Sequence, residues 1–183
     1  SNGVWIGARP SIGTDGTVYV GDGDRQRGEL GGNLYALAPS GEVRWVYKVS
    51  DWVKYGPAVG ADGTAYVAAG EHLHAVRHGR RAWIFRAEDS VDVQPVLGPD
   101  GTLYFGTRAG RFHALSPDGE RKWTLDLAEV DGFHRGSREE FDPPTRWGQV
   151  LTAAAAGDNG HIYVGTRHGL LVAVSEAGRV RWS

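Results

Sequence analysis

The sequence predicts an all-β fold, a β-propeller of four-stranded antiparallel blades with four blades in 183 residues. Three observations carry that expectation. One phrase recurs four times: PSIGTDGTVYVG from Pro10, PAVGADGTAYVA from Pro57, PVLGPDGTLYFG from Pro95 and AAAGDNGHIYVG from Ala154. A second phrase follows each of them and ends at Trp45, Trp83, Trp123 or Trp182, always four residues after a glycine (Gly41, Gly79, Gly119, Gly178). Glycine contributes 28 residues, about double its usual ~7% share. With seven Trp and seven Tyr, that is the composition of short strands joined by tight turns. The Trp spacings of 38, 40 and 59 set a unit of about 40 residues, the period of propeller blades, with an insertion in the last interval.

The elements of the third unit show the pattern. An apolar run from Pro95 to Gly98 forms strand A and meets Asp100-Gly101. That dipeptide favours a type I′ hairpin, whose two central residues both need positive φ. Strand B runs from Thr102 to Gly106 and strand C from Phe112 to Leu115; Asp118-Gly119 then turns the chain into strand D with Trp123. Repetition places the blades at about 6–50, 53–88, 91–127 and 150–183, with inserted loops at 21–32 and 128–149. Together they make one propeller domain, or half of a propeller, over 1–183. No window sustains a 3.6-residue apolar period, so no long helix is expected. Ser137 to Glu140 fits a capping box for a single helical turn. Trp45, Trp83, Trp123 and Trp182 are assigned to the core as wedges between blades. Ala36, Ala75, Ala114 and Ala173 leave room for them, and Gly13, Gly60, Gly98 and Gly157 mark close backbone approach or a bulge.

Composition narrows the function classes. The 20 Lys and Arg against 22 Asp and Glu give a formal charge of -2, which argues against nucleic acid as a partner. The absence of cysteine removes disulfides, thiolate metal sites and thiol nucleophiles. No stretch approaches the roughly 18 apolar residues of a membrane span. The sequence does not begin with Met, so a processed chain or a part of something longer is expected.

The phrases Ala36-Leu37 to Ser40-Gly41 to Trp45 and Ala114-Leu115 to Asp118-Gly119 to Trp123 resemble the tryptophan-docking repeat of quinoprotein-type (PQQ-repeat) β-propellers. That superfamily holds quinone dehydrogenases as well as non-catalytic outer-membrane-assembly lipoproteins and sensor domains. The dehydrogenases typically carry a vicinal Cys pair, which this chain lacks, and their catalytic Asp and calcium ligands find no matched positions. The resemblance therefore leans to the non-catalytic relatives and assigns no catalytic, cofactor-binding or metal residue and no cofactor. It implies a ring of seven or eight blades, so four blades leave three readings: completion by a second copy, completion by blades outside this sequence, or closure as four. The first two are favoured, because an open half-ring leaves apolar faces in water. Periplasmic or extracellular localisation is also implied by the resemblance alone.

Blade order sorts the loops onto two rims. The A–B and C–D turns are minimal, whereas both insertions fall on the rim of the B–C and D–A connections. That rim supplies the candidate contact residues. Arg108 stands in one B–C turn and Arg167 with His168 in the equivalent turn of the last unit; His134, Arg138, Glu139, Glu140, Asp142 and Trp147 lie in the second insertion. With Arg25, Lys54 and Arg135, the arginines could form a basic funnel for a carboxylate, phosphate or acidic peptide. Asp22, Asp24, Gln26 and Glu29 in the first insertion match a calcium loop poorly, and no histidine pair has ligand spacing. His74 and His113 are expected as outward or interblade packing residues. The favoured function is a non-catalytic scaffold that holds a protein or peptide partner on the loop-rich rim. The alternative is a quinone-dependent enzyme or ligand sensor with its site over the central channel. A carbohydrate binder using Trp5, Trp52 and Trp147 is a third reading.

Overall fold

The computed structural model describes residues 4–24, 31–130, 153–157, 159–166 and 169–183. The chain divides into two compact units, Ser1–Ala87 and Glu88–Ser183. In the first unit a short strand β1 (Val4–Trp5) precedes blade 1, which is built from β2 (Ser11–Ile12), β3 (Val18–Gly21), β5 (Gly32–Leu37) and β6 (Val43–Val49); β4 (Gly23–Asp24) pairs with β1. Blade 2 comprises β7 (Ala58–Val59), β8 (Ala65–Ala69), β9 (His72–Arg77) and β10 (Arg80–Arg86). In the second unit blade 3 comprises β11 (Val96–Leu97), β12 (Leu103–Gly106), β13 (Arg111–Leu115) and β14 (Arg121–Asp126). Blade 4 comprises β15 (Ala155–Ala156), β16 (His161–Gly165), β17 (Leu171–Ser175) and β18 (Val180–Trp182). Each blade is an antiparallel meander whose strands follow sequence order, the architecture the repeat predicts. Among the described residues the only helical piece is a 3-10 turn, Leu127–Glu129. The capping box at Ser137 lies outside the described residues.

The turns depart from the expected type I′ geometry. Gly16, Gly63 and Gly101 have φ of 77°, 79° and 79°, but the preceding aspartates are not left-handed. The N–H of Gly16 donates to the carbonyl of Gly13, and that of Gly13 to the carbonyl of Thr17. The result is an ordinary turn closed by one left-handed glycine, the longer hairpin form. The aspartate has a different task. Asp15 accepts from the Thr17 N–H at 3.0 Å and the Thr17 hydroxyl at 2.6 Å, and Asp62–Thr64 and Asp100–Thr102 repeat the arrangement. An Asx turn thus replaces the backbone geometry that the dipeptide suggested. The two-residue turn with both centres left-handed falls instead at His78-Gly79, with φ of 50° and 73°.

The tryptophans also differ from expectation. Trp45, Trp83 and Trp123 are half-buried and Trp182 is 49% exposed, so the set does not form the fully buried core. They sit on strand D, the outermost of each blade, where one ring face is covered by the blade's own strands. Strands B and C bury the core instead: Leu34, Val67, Leu73 and Val76 in the first unit, Leu103, Phe105, Phe112 and Val172 in the second. The small alanines do make room, but for two rings rather than one. Ala36, Ala75, Ala114 and Ala173 are fully buried between a strand-B tyrosine and the strand-D tryptophan in register with them. The Tyr–Trp ring centroids stand 5.8, 5.8, 5.9 and 5.9 Å apart in the four blades.

Candidate functional site

Because the strands of each blade alternate in direction, the B–C and D–A connections share one end of that blade. In blade 3 this end is built from the segment 88–92 entering the blade, the B–C turn at 107–110 and the exit of strand D at Asp126. Thr107 is fully buried; its hydroxyl donates to Glu88 Oε1 at 2.7 Å, and its N–H closes the turn on the Arg111 carbonyl at 2.9 Å. Glu88 also lies 3.1 Å from Nε2 of His113, which is 2% exposed and stacked on Phe105 at 5.0 Å. Nδ1 of His113 meets the Thr124 hydroxyl at 2.9 Å. A carboxylate only accepts, so Nε2 carries the ring proton and Nδ1 accepts from Thr124. Burial holds the His113 pKa below its ordinary value, although the Glu88 charge pulls the other way. Burial draws the Glu88 carboxyl upward, but its own N–H, Thr107 and His113 outweigh it and its pKa lies below the ordinary range. The Thr124–His113–Glu88–Thr107 chain is a neutral histidine clamped between an alcohol and a carboxylate.

Arg108 emerges from this frame. Its N–H donates to the Ser90 carbonyl at 2.9 Å, and its guanidinium pairs with Asp92 through Nε at 3.1 Å and through Nη2. The guanidinium is half exposed. Arg111 and Asp126 stand 3.5 Å apart beside it, and Asp126 accepts from the Ala128 N–H to start the 3-10 turn. Of the candidate contact residues, Arg108 alone is described; Arg167, His168, His134, Arg138, Glu139, Glu140, Asp142 and Trp147 lie outside the described residues.

In blade 1 the same end carries the neck of the first insertion. Asp22 is 2% exposed and accepts from the Asn33 N–H at 2.6 Å, the Asn33 side-chain amide at 3.2 Å and the Tyr35 hydroxyl at 2.8 Å. Its own N–H donates to the Asn33 carbonyl, so one carboxylate staples both sides of the insertion together. Gly21 is required there, since a Cβ would sit 2.1 Å from Val53 Cγ1. Among the described residues no group of three or more His, Asp or Glu is arranged to hold a metal ion. His74 and His113, expected to face outward or between blades, are 4% and 2% exposed. The Glu88–His113–Thr124 contact was not found by sequence reasoning: its members lie 25 and 11 residues apart with no motif spacing.

The comparisons with known proteins agree with this architecture. BamB from Moraxella catarrhalis superposes with a TM-score of 0.74 at 20% identity, over 97% of this chain and 52% of that one. A protein of unknown function from Bacteroides caccae superposes with a TM-score of 0.65 at 13% identity, over 100% of this chain and 67% of the other. The chain thus spans about half the length of the solved BamB. No curated protein matches the sequence. The family model described as outer membrane protein assembly factor BamB matches residues 3–139. This PQQ-repeat propeller chain therefore belongs to the family of outer membrane protein assembly factor BamB.

Proposed function

We propose that the chain is a non-catalytic scaffold that engages a protein or peptide partner through the rim of its B–C and D–A connections, in the outer membrane protein assembly that its family description names. One observation carries the reading: among the described residues, the chemically capable side chains at that end of blade 1 and of blade 3 are committed to shaping it. Glu88, His113 and Thr107 satisfy one another, Asp22 is occupied by Asn33 and Tyr35, and Arg108 is steered by Asp92. A site for turnover needs an acid, base or nucleophile free to reach substrate. A docking rim needs a rigid frame presenting irregular loops, and both insertions spring from such frames. The same reading places the protein in the periplasm or outside the cell.

The test is a calorimetric titration of the chain with purified extramembrane proteins of the outer-membrane assembly machinery. It is repeated with residues 25–30 and 131–149 each replaced by a short Gly-Ser turn, which leaves the structural necks of both insertions in place. The expected result is saturable binding that weakens at least tenfold in one or both trimmed variants while their circular dichroism is unchanged. Binding indifferent to both replacements, or turnover of a small molecule by the intact rim, would overturn the reading.

A further inference from the structure

In two blades the ring on strand C is answered by a carboxylate. The Tyr35 hydroxyl donates to Asp22 at 2.8 Å in blade 1, and Nε2 of His113 lies 3.1 Å from Glu88 in blade 3. His74 holds the same place in blade 2, in register with Val67 on strand B and Ile84 on strand D. It is 4% exposed, and its Nδ1 lies 3.3 Å from the Tyr47 hydroxyl of blade 1. Its Nε2 is buried without a hydrogen-bond partner. A buried polar atom left in that state costs about 1–3 kcal/mol, and an ion or a water is what ordinarily satisfies it.

What stands beside His74 is a second histidine. Successive side chains of a strand alternate between its faces, so residues at i and i+2 share one. His72 and His74 share a face of β9, with ring centroids 6.1 Å apart. The expectation that no histidine pair has ligand spacing therefore fails here, because on a strand that spacing is i, i+2. With metal–nitrogen bonds of ~2.0–2.1 Å, an ion held by two imidazoles keeps their centroids within roughly 6 Å. A small rotation of His72, the less buried of the two, closes the pair. Tyr47 supplies the outer support. When Nδ1–H donates to its hydroxyl, the ring is fixed in the tautomer whose Nε2 lone pair is bare.

We infer that His72 and His74 together bind a divalent transition-metal ion, copper(II) foremost, with water in its remaining positions. Imidazole suits copper, nickel and zinc, and of these copper(II) binds a given nitrogen site most tightly. Calcium and magnesium need oxygen ligands, and among the described residues no carboxylate joins the pair to make a group of three. The surrounding charges favour the same choice. Glu71 is engaged by Arg86 at 3.1 Å, and the charge of Arg81 reaches both His74 and Tyr47. Such a site holds an ion by forming bonds to it rather than by attracting its charge. Burial keeps the His74 ring neutral, the form that ligates. The inference goes beyond the rim reading, since no protein partner enters it.

The test is a calorimetric titration of the chelator-stripped 183-residue chain with copper(II), zinc(II) and calcium in turn, at neutral pH, with paramagnetic resonance of the copper form. The expected result is one copper site whose spectrum shows two coupled nitrogens, weaker zinc binding that copper displaces, and no calcium binding. His72→Ala should weaken copper at least tenfold with unchanged circular dichroism, because that side chain is only partly buried. Tyr47→Phe removes the support of His74 and should cost about 10–100-fold in affinity. His78→Asn, in the exposed turn at the far end of the same hairpin, should leave copper binding unchanged. The nitrogen count is read on the parent chain, so it decides the matter even where a variant does not fold. No copper binding up to about 100 µM, a single coupled nitrogen, or equal affinity in the His72→Ala and His78→Asn variants would each overturn the inference.

Discussion

Tyr104 and Trp123 meet with ring centroids 5.9 Å apart across the fully buried Ala114, which lies in register with both. The contact exists because strand C offers a methyl group where any larger side chain would part the rings. Ala114→Val therefore overpacks the blade and should cost about 1–3 kcal/mol. A urea midpoint that does not move would show that the rings can separate without loss.

The interblade joint gives a sharper comparison. Gly178 and Gly169 both have positive φ, 76° and 83°, but only Gly178 faces an indole, with Trp123 Cγ 2.8 Å from a would-be Cβ. Gly169→Ala carries the left-handed penalty alone, about 1–2 kcal/mol. Gly178→Ala should cost at least about 1 kcal/mol more, because Trp123 must leave its seat and its hydrogen bond to Glu176. Equal losses in denaturant would mean that the tryptophan is not held by the glycine.

Acid sensitivity should come first from His74. It is 4% exposed, its Nδ1 lies 3.3 Å from the Tyr47 hydroxyl, and its Nε2 has no hydrogen-bond partner. Burial, followed by the charges of His72 and Arg81, lowers its pKa from 6.5 to about 4. The unfolded chain then takes up a proton near pH 6.5 that the folded chain refuses until about pH 4, so lowering the pH favours unfolding across that window. Stability is complete above the window and falls by up to about 3 kcal/mol by its lower end. His113 shifts in the same direction and adds to the loss. The Asp15 carboxyl, lowered to about 2 chiefly by the Thr17 hydroxyl, gives up its contribution only at lower pH. Urea midpoints at pH 7.5 and 4.5 measure the effect, and His74→Phe should remove much of the difference between them.

The repeated Asx turns make a fourth stability test. Asp62 accepts from the Thr64 N–H at 3.0 Å and from its hydroxyl at 2.8 Å. Those bonds, the backbone one foremost, hold its carboxyl below the ordinary range. Asp62→Ala leaves the nearly buried Thr64 without both acceptors and should cost about 1–2 kcal/mol. Asp62→Asn keeps a carbonyl oxygen for the N–H and should lose about half as much. The ion pair with Arg77 at 3.6 Å is half exposed and adds little. Matching midpoints for the Ala and Asn variants would contradict this ranking.

What could be read from the residues was whatever recurs. Four copies of one phrase fix the strands, the meander order and the Trp–Gly spacing, because a repeated local pattern reports a repeated local structure. The turn type departs from the expectation because Asp-Gly satisfies either hairpin form, and in blades 1 to 3 the choice is made by a threonine two residues on that the dipeptide rule ignores. Size alone assigns the tryptophans to the core, whereas each stands on an edge strand, where its own blade covers only part of the ring. His113 and Glu88 are joined only by folding, one on strand C and the other before strand A. Arg108 was legible as a rim residue from its place in the B–C turn, but not its partner Asp92, 16 residues away.

The rim itself separates frame from contact. Glu88→Ala would take the nearer acceptor from the buried Thr107 hydroxyl, leaving it the Arg111 carbonyl at 3.4 Å, and would remove the carboxylate beside His113 Nε2, an expected loss of about 1–3 kcal/mol in denaturant. Arg108→Ala breaks a half-exposed ion pair and should change stability by less than about 1 kcal/mol. If the rim is the docking face, the order reverses in the binding assay. Arg108→Ala should then weaken the partner about tenfold, the scale of an arginine at an interface centre. Glu88→Gln, which keeps an oxygen for Thr107, should bind nearly as the parent does. Partner affinity that tracks stability across the three variants would mean the rim is only scaffold and the contact lies elsewhere.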